Sequence, residues 1–219
     1  MVCTINKCTT KWCSWFSLNK LLFTLFTIVA LIIWGAGFNQ RLFYEINGLA
    51  KYLPGKIWLI ISYITYLKHL ILPIILLLIT FFYKKDKTLK IITLFGLYLV
   101  VFFILKKIFA EPRPFIVLPP NSFTWLIGGE DVSGSEFMSF PSGHTGLVAI
   151  FIFALNRLFF MQNTFTHKFI RFISFVLLAL VAIARVATGW HWPIDVIASG
   201  LIGYILVQIV FYNSQSSQD

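Results

Sequence analysis

Residues 169–212 read FIRFISFVLLALVAIARVATGWHWPIDVIASGLIGYILVQIVFY, two long apolar runs at 169–187 and 193–212 with a break at 188–192. A helix needs roughly 20 mostly apolar residues to cross the hydrocarbon core of a bilayer. Both runs have that length, so the stretch reads as two membrane spans joined by a tight turn. Arg185, His191 and Asp195 stand at or beside the turn. Ionisable side chains near membrane depth are costly and tend to be functional.

Working outward, the same length rule adds spans near 20–37, 60–83, 89–105 and 142–160, about six in all. The expected fold is therefore all-α, an integral membrane bundle of six transmembrane helices with an irregular outer-face loop. Residues 1–219 form a single domain, because the spans leave no room for a separate soluble unit. Composition agrees: with 58% hydrophobic and 12% charged residues, the chain is too apolar to cover its own surface in water.

The formal charge of +10 could suggest nucleic acid, but its distribution argues against that partner. Lys7, Lys11 and Lys20 lead into the first span. Lys84, Lys85, Lys87 and Lys90 fill one break, and Arg157, Lys168 and Arg171 surround another. Alternating spans put all three groups on one side, which the positive-inside rule makes cytoplasmic, together with both termini. Cys3, Cys8 and Cys13 then lie in a reducing compartment, where disulfides are rare. No histidine or acid is near enough to complete a zinc pattern with them. The first span with its leading lysines also resembles a signal peptide ending at Gly35-Ala36-Gly37; an uncleaved span is the expectation.

The loops on the other side hold the unusual residues. The loop at 106–141 carries Glu111, Glu130, Asp131 and Glu136 among several prolines and glycines, and its length makes it a candidate lid. Residues 45–59, with Leu49, Leu53, Ile57 and Trp58, are expected to form a helix lying on the outer surface.

Three clusters fall at outer span ends: Lys106 with Arg113-Pro114, then Pro141-Ser142-Gly143-His144, then Arg185 with His191 and Asp195. The charge-derived topology brings them to one membrane face. A phosphate monoester carries about −1.5 to −2 charges at neutral pH, and Lys106, Arg113 and Arg185 supply the cations to hold one. Arginine offers a planar fork for two oxygens, lysine a point charge. Ser142 reads as a helix cap, and Gly143 lets the backbone and its free amides approach the anion. Cleavage needs a nucleophile and a proton donor for the leaving oxygen. His191 is assigned as nucleophile and Asp195 as the carboxylate that fixes its tautomer, provided the helix has begun by His191. His144, from a different span, is assigned as general acid.

Each residue alone has a plainer reading. Arg and Lys at span ends are ordinarily snorkelling anchors or topology signals. Pro-Ser-Gly is common helix-start chemistry, Asp195 could be a simple cap, and His191 between Trp190 and Trp192 could belong to an interfacial belt. Their conjunction, in complementary roles, favours the site.

The clusters resemble the signature of the type 2 phosphatidic acid phosphatase superfamily: Lys-x6-Arg-Pro, Pro-Ser-Gly-His and Ser-Arg-x5-His-x3-Asp. Here these run from Lys106 to Arg113-Pro114, from Pro141 to His144, and from Ala184-Arg185 through His191 to Asp195. The signature region is 106–195, and Ala184 departs from the usual serine. The resemblance implies a metal-independent reaction with no cofactor, a membrane lipid as substrate, and the roles assigned above. It implies hydrolysis of a lipid phosphate or pyrophosphate via a phosphohistidine at the periplasmic face of a bacterial-type inner membrane. Undecaprenyl pyrophosphate or phosphatidylglycerophosphate is the expected substrate, and the run from Glu111 to Phe115 is similar to phosphatases of the latter. Lipid A dephosphorylation and lipid-to-lipid phosphotransfer are the alternatives, with a silent scaffold last. Soluble vanadium haloperoxidases share the signature, and the apolar spans argue against them. The sequence leaves oligomeric state open. Lys68 and His69 interrupt the second span and are candidate headgroup contacts, with snorkelling as the plainer reading.

Overall fold

The computed structural model describes residues 37–62, 71–126 and 134–212, and all regular elements among them are helical. Most of the first predicted span, the three cysteines, Lys68, His69, Glu130 and Asp131 lie outside the described residues. The α-helices are α1 (Phe38–Asn47), α2 (Gly55–Ser62), α3 (Ile71–Tyr83), α4 (Thr88–Phe109), the short α5 (Pro114–Val117), α6 (Gly143–Phe159), α7 (Phe165–Ala187) and α8 (Pro193–Phe211).

Among the described residues, three segments are long and apolar enough to cross a membrane, Lys85–Val117, Phe165–Ala187 and Pro193–Phe211, while α3 and α6 are shorter apolar helices. Large side chains such as Leu99, Phe103 and Ile108 on α4, and Phe169, Phe172 and Phe175 on α7, point outward. An apolar surface of that extent belongs in lipid rather than water. The chain is a multi-pass membrane protein. Its predicted span at 60–83 is described in two parts, α2 packed on α7 and α3 packed on α4 and α6.

The surface helix expected over 45–59 is not one helix. α1 ends at Asn47, a 3-10 turn covers Gly48–Tyr52, and α2 restarts at Gly55. Pro54 explains the break: the residue before a proline is pushed out of the helical region, and Leu53 is extended at φ −127° and ψ 148°. Nor do these residues only skim the surface, since Asn47, Ala50 and Trp58 are buried.

α6 is the central helix, packed against α3, α7 and α8, and His144 to Ile150 are buried without interruption. Small residues permit this crowding, as they do wherever membrane helices approach closely. A Cβ on Gly203 of α8 would come within 2.9 Å of the Ala149 Cβ, and one on Gly146 would strike the Phe102 ring at 2.2 Å. The result draws the N-terminal ends of α6 and α8 together, so that the Ser142 amide donates to the Asp195 carbonyl at 3.3 Å.

The C-terminal end of α4, the N-terminal ends of α6 and α8 and the C-terminal end of α7 therefore share one end of the bundle. The lysines near 84–90 and Arg157, Lys168 and Arg171 occupy the other.

Candidate active site

α7 ends in a left-handed turn that sends the chain back over its own last residues. Gly189, at φ 81°, donates to the Val186 carbonyl at 2.9 Å, and Trp190 donates to the Arg185 carbonyl at 3.2 Å. This pair of bonds is the Schellman arrangement that closes helices on glycine. His191 also donates its amide to Arg185 O at 3.2 Å. Arg185 and His191 thus come together through local backbone geometry.

α8 starts at Pro193, not at His191. Trp192 is extended at ψ 154°, the conformation favoured before a proline, so the condition on which His191 and Asp195 would share a helical turn is not met. Asp195 still reaches the imidazole. Its Oδ2 lies 3.3 Å from His191 Nδ1 and accepts from the Trp192 amide at 2.9 Å and the Ser139 hydroxyl at 2.5 Å. The carboxylate caps the helix and contacts the histidine at once, so two readings that looked exclusive both hold.

Arg113 approaches from the other side. Its Nη1 is 3.4 Å from His191 Nε2 and donates to the Trp190 carbonyl at 2.9 Å, while Nε donates to Ser135 O at 2.8 Å. Lys106, at the end of α4, donates from Nζ to Met138 O at 2.6 Å. The described part of the outer loop therefore folds over both cations with its carbonyls. Arg185 is fully buried and donates from Nη1 to Ser62 Oγ at 2.8 Å.

His191 is 1% exposed. Burial, then the charges of Arg113, Arg185, Lys106 and His144 in that order, hold its imidazole well below the usual histidine range. At the start of α6, Ser142 caps the helix as expected, accepting from the Thr145 amide at 3.5 Å and lying 3.1 Å from its hydroxyl. Gly143 and the buried His144 follow, and Tyr98 donates from its hydroxyl to the Gly143 carbonyl at 2.9 Å. Every predicted site residue except Lys68 and His69, which lie outside the described residues, stands at this end of the bundle.

The family model of the PAP2 superfamily matches residues 87–219. The chain belongs to the PAP2 superfamily. It is 28% identical to an undecaprenyl-diphosphatase of Sulfolobus acidocaldarius over 86% of this chain and 88% of that protein. A shorter match, 36% identical over 35% of this chain and 34% of the other, is to the bacitracin transport permease protein BcrC of Bacillus licheniformis. Among solved structures, the PAP2 type phosphatidylglycerolphosphate phosphatase of Bacillus subtilis superposes with a TM-score of 0.67 at 24% identity, covering 90% of this chain and 96% of that one. LpxE of Aquifex aeolicus gives 0.61 at 26%, covering 80% and 95%. The chain is thus a membrane phosphatase of the PAP2 superfamily.

Several side chains outside the PAP2 signature build the site, and sequence reasoning missed them. Trp190 is 1% exposed, not an interfacial belt residue. The guanidinium carbons of Arg113 and Arg185 lie 5.3 and 5.4 Å from its ring. An indole face attracts each cation and so offsets the repulsion between them. Trp190 Nε1 donates to Leu126 O at 3.0 Å, and its ring meets Phe115 and Trp125 edge-on. Asn47 donates to Thr124 O at 2.7 Å and Ala187 O at 2.9 Å and accepts from the Thr124 amide at 2.8 Å. It thereby ties α1, the outer loop and the carbonyl end of α7 together. The clue to Trp190 was its place between Arg185 and Asp195. Asn47 left no signal, because its partners depend on tertiary register.

Proposed function

We propose that this PAP2 phosphatase hydrolyses a lipid phosphate or pyrophosphate through a phosphohistidine on His191. The observation that carries the reading is the line from Arg113 through the His191 ring to Asp195, with 3.4 Å on one side and 3.3 Å on the other. Lys106, Arg113 and Arg185, with the amides at the start of α6 beside Ser142 and Gly143, bind the phosphoryl oxygens. Nε2 of His191 attacks phosphorus, and an N–P bond forms as the bond to the lipid oxygen breaks. His144, protonated at the outset, gives its proton to that oxygen. Asp195 stabilises the charge that develops on the phosphorylated ring. His144 then takes a proton from water, whose oxygen attacks phosphorus and releases inorganic phosphate and free His191. In this reading no metal or cofactor takes part, and the products leave both histidines as they began.

Undecaprenyl pyrophosphate is the best-supported substrate, since the relative matched along most of both chains is an undecaprenyl-diphosphatase. Phosphatidylglycerophosphate is the second reading, favoured by the run from Glu111 to Phe115. The same phosphohistidine would serve lipid A dephosphorylation or transfer to a lipid acceptor. The proposed setting is a bacterial-type inner membrane, with one domain of six spans over 1–219, cytoplasmic termini and a periplasmic site. Positive residues at the opposite end of the bundle support that orientation.

Phosphate release from undecaprenyl pyrophosphate, phosphatidylglycerophosphate, phosphatidic acid and lipid A, each with and without EDTA, tests the proposal. The first should be turned over fastest and EDTA should change nothing. Activity lost with EDTA would overturn the metal-free mechanism, and preference for another lipid would reassign the substrate.

A further inference from the structure

The Ser62 hydroxyl, at the last residue of α2, accepts a 2.8 Å hydrogen bond from Nη1 of Arg185 across 123 residues of sequence. Both side chains are closed off from solvent, at 0% and 1% exposure. Ser62 lies outside the stretch 87–219 that carries the PAP2 match, and nothing in the signature points to it. We propose that Ser62 is a positioning residue for the phosphate, acting through the guanidinium of Arg185. The inference rests on the reading of Arg185 as a phosphate ligand.

The chemistry of the partner is the argument. A carboxylate at this place would fix the guanidinium but neutralise it, and a neutralised arginine holds a phosphate poorly. A hydroxyl accepts the same N–H without adding charge, so the cation is oriented and its attraction for an anion survives. Trp190 does the same from another direction, its ring 5.4 Å from the guanidinium carbon. Neither partner cancels the charge.

α2 is held where the contact requires. Trp58, one turn before Ser62, is 6% exposed and packs in a cluster with Ala50, Ala184 and Ala187, the last two on α7. Ala184 is the position where the signature usually has serine, and here its methyl belongs to the apolar seat of Trp58. The helix that brings the hydroxyl is thus anchored beside the arginine it orients.

The test uses the full chain in detergent, with dioctanoyl phosphatidic acid as substrate and inorganic phosphate as competing ligand. Ser62→Ala should raise the inhibition constant of phosphate about tenfold, equivalent to about 1.4 kcal/mol. Ser62→Thr, which keeps the hydroxyl, should restore it. In an Arg185→Ala background Ser62→Ala should add no further loss, because the two act as one unit. Ser62→Cys, a poorer acceptor of similar size, replaces Ser62→Ala if that variant does not fold. A wild-type inhibition constant in the hydroxyl-free variant would overturn the proposal, as would an equal loss persisting without Arg185. If Arg185→Ala itself binds phosphate like the wild type, the reading of Arg185 as a phosphate ligand falls instead.

Discussion

Arg113 and His191 face each other across 78 residues of sequence, Nη1 standing 3.4 Å from Nε2, while Asp195 lies 3.3 Å from the ring's other nitrogen. A guanidinium only donates and a carboxylate only accepts. Together they fix the ring proton on Nδ1 and leave the lone pair on Nε2, which faces Arg113. In the proposed mechanism this arrangement prepares the imidazole for attack, and phosphoryl oxygens take the place of Nε2 as partners of Arg113. Arg113→Ala should therefore lower kcat by about 10²–10³, the usual loss of a donor aimed at developing negative charge. Arg113→Lys should recover only part, since an ammonium lacks the planar fork. Steady-state kinetics on the preferred lipid checks both.

Asp195 does two things, and one substitution separates them. Asn in its place keeps an oxygen where Oδ2 meets the Trp192 amide, so the α8 cap survives, but it lacks the negative charge that the proposed mechanism sets against the phosphorylated ring. Asp195→Asn should leave the thermal midpoint in detergent close to wild type. Its kcat should fall by about 10⁴, the size of loss an equivalent Asp→Asn change produces in a serine protease triad. A large drop in stability with little loss of turnover would make Asp195 a cap alone.

The two histidines are distinguished by what accumulates. After mixing with labelled substrate and quenching in base, His191→Ala should carry no label on protein, because the acceptor nitrogen is gone. His144→Ala should still form phosphoenzyme on a substrate with a good leaving group, and should retain it longer, since the group that activates water is missing. Label on His191→Ala would move the nucleophile elsewhere.

The depressed basicity of His191 has a definite sign. A ring whose pKa is lowered stays neutral, and so nucleophilic, until pH falls through that lowered value. The acid limb of kcat/KM should lie below about pH 6.5, the unperturbed histidine value. Arg113 is the largest contributor to the shift after burial. Its removal should raise the pKa and move the limb to higher pH. The substrate phosphate also titrates near pH 6 or so, but it is common to both enzymes, and the difference between their profiles isolates His191.

The site was legible in the sequence wherever covalent spacing fixes geometry. Arg185, His191 and Asp195 lie within one turn and a helix start, and Lys106 and Arg113 flank one helix end, so hydropathy and charge were enough to bring them to one face. Ser62, Ser139 and Asn47 were not legible, since their partners are 56 to 140 residues away and depend on how helices settle against one another. Two misreadings had a cue in view. Pro54 and Pro193 both favour extended backbone at the residue before them, which Leu53 and Trp192 adopt; this breaks the expected surface helix and leaves His191 outside α8.

Gly189 connects the fold to the chemistry and yields the last prediction. Its φ of 81° is one that L side chains rarely adopt, and a Cβ there would stand 2.9 Å from the Thr124 carbonyl. That carbonyl also accepts from Asn47, so it is not free to retreat. Gly189→Ala should cost at least the roughly 1–2 kcal/mol of placing an L residue in left-handed backbone, plus whatever the clash adds. The strain falls on the turn that folds Trp190 and His191 back onto Arg185, so turnover should drop by more than the lowered thermal midpoint explains. Asn47→Ala is the control: it should loosen the outer loop and lower the midpoint while the turn and its Schellman bonds persist, giving a smaller loss of kcat. Equal kinetic losses in the two variants would mean that the turn sets stability alone and that His191 is positioned by Asp195 without it.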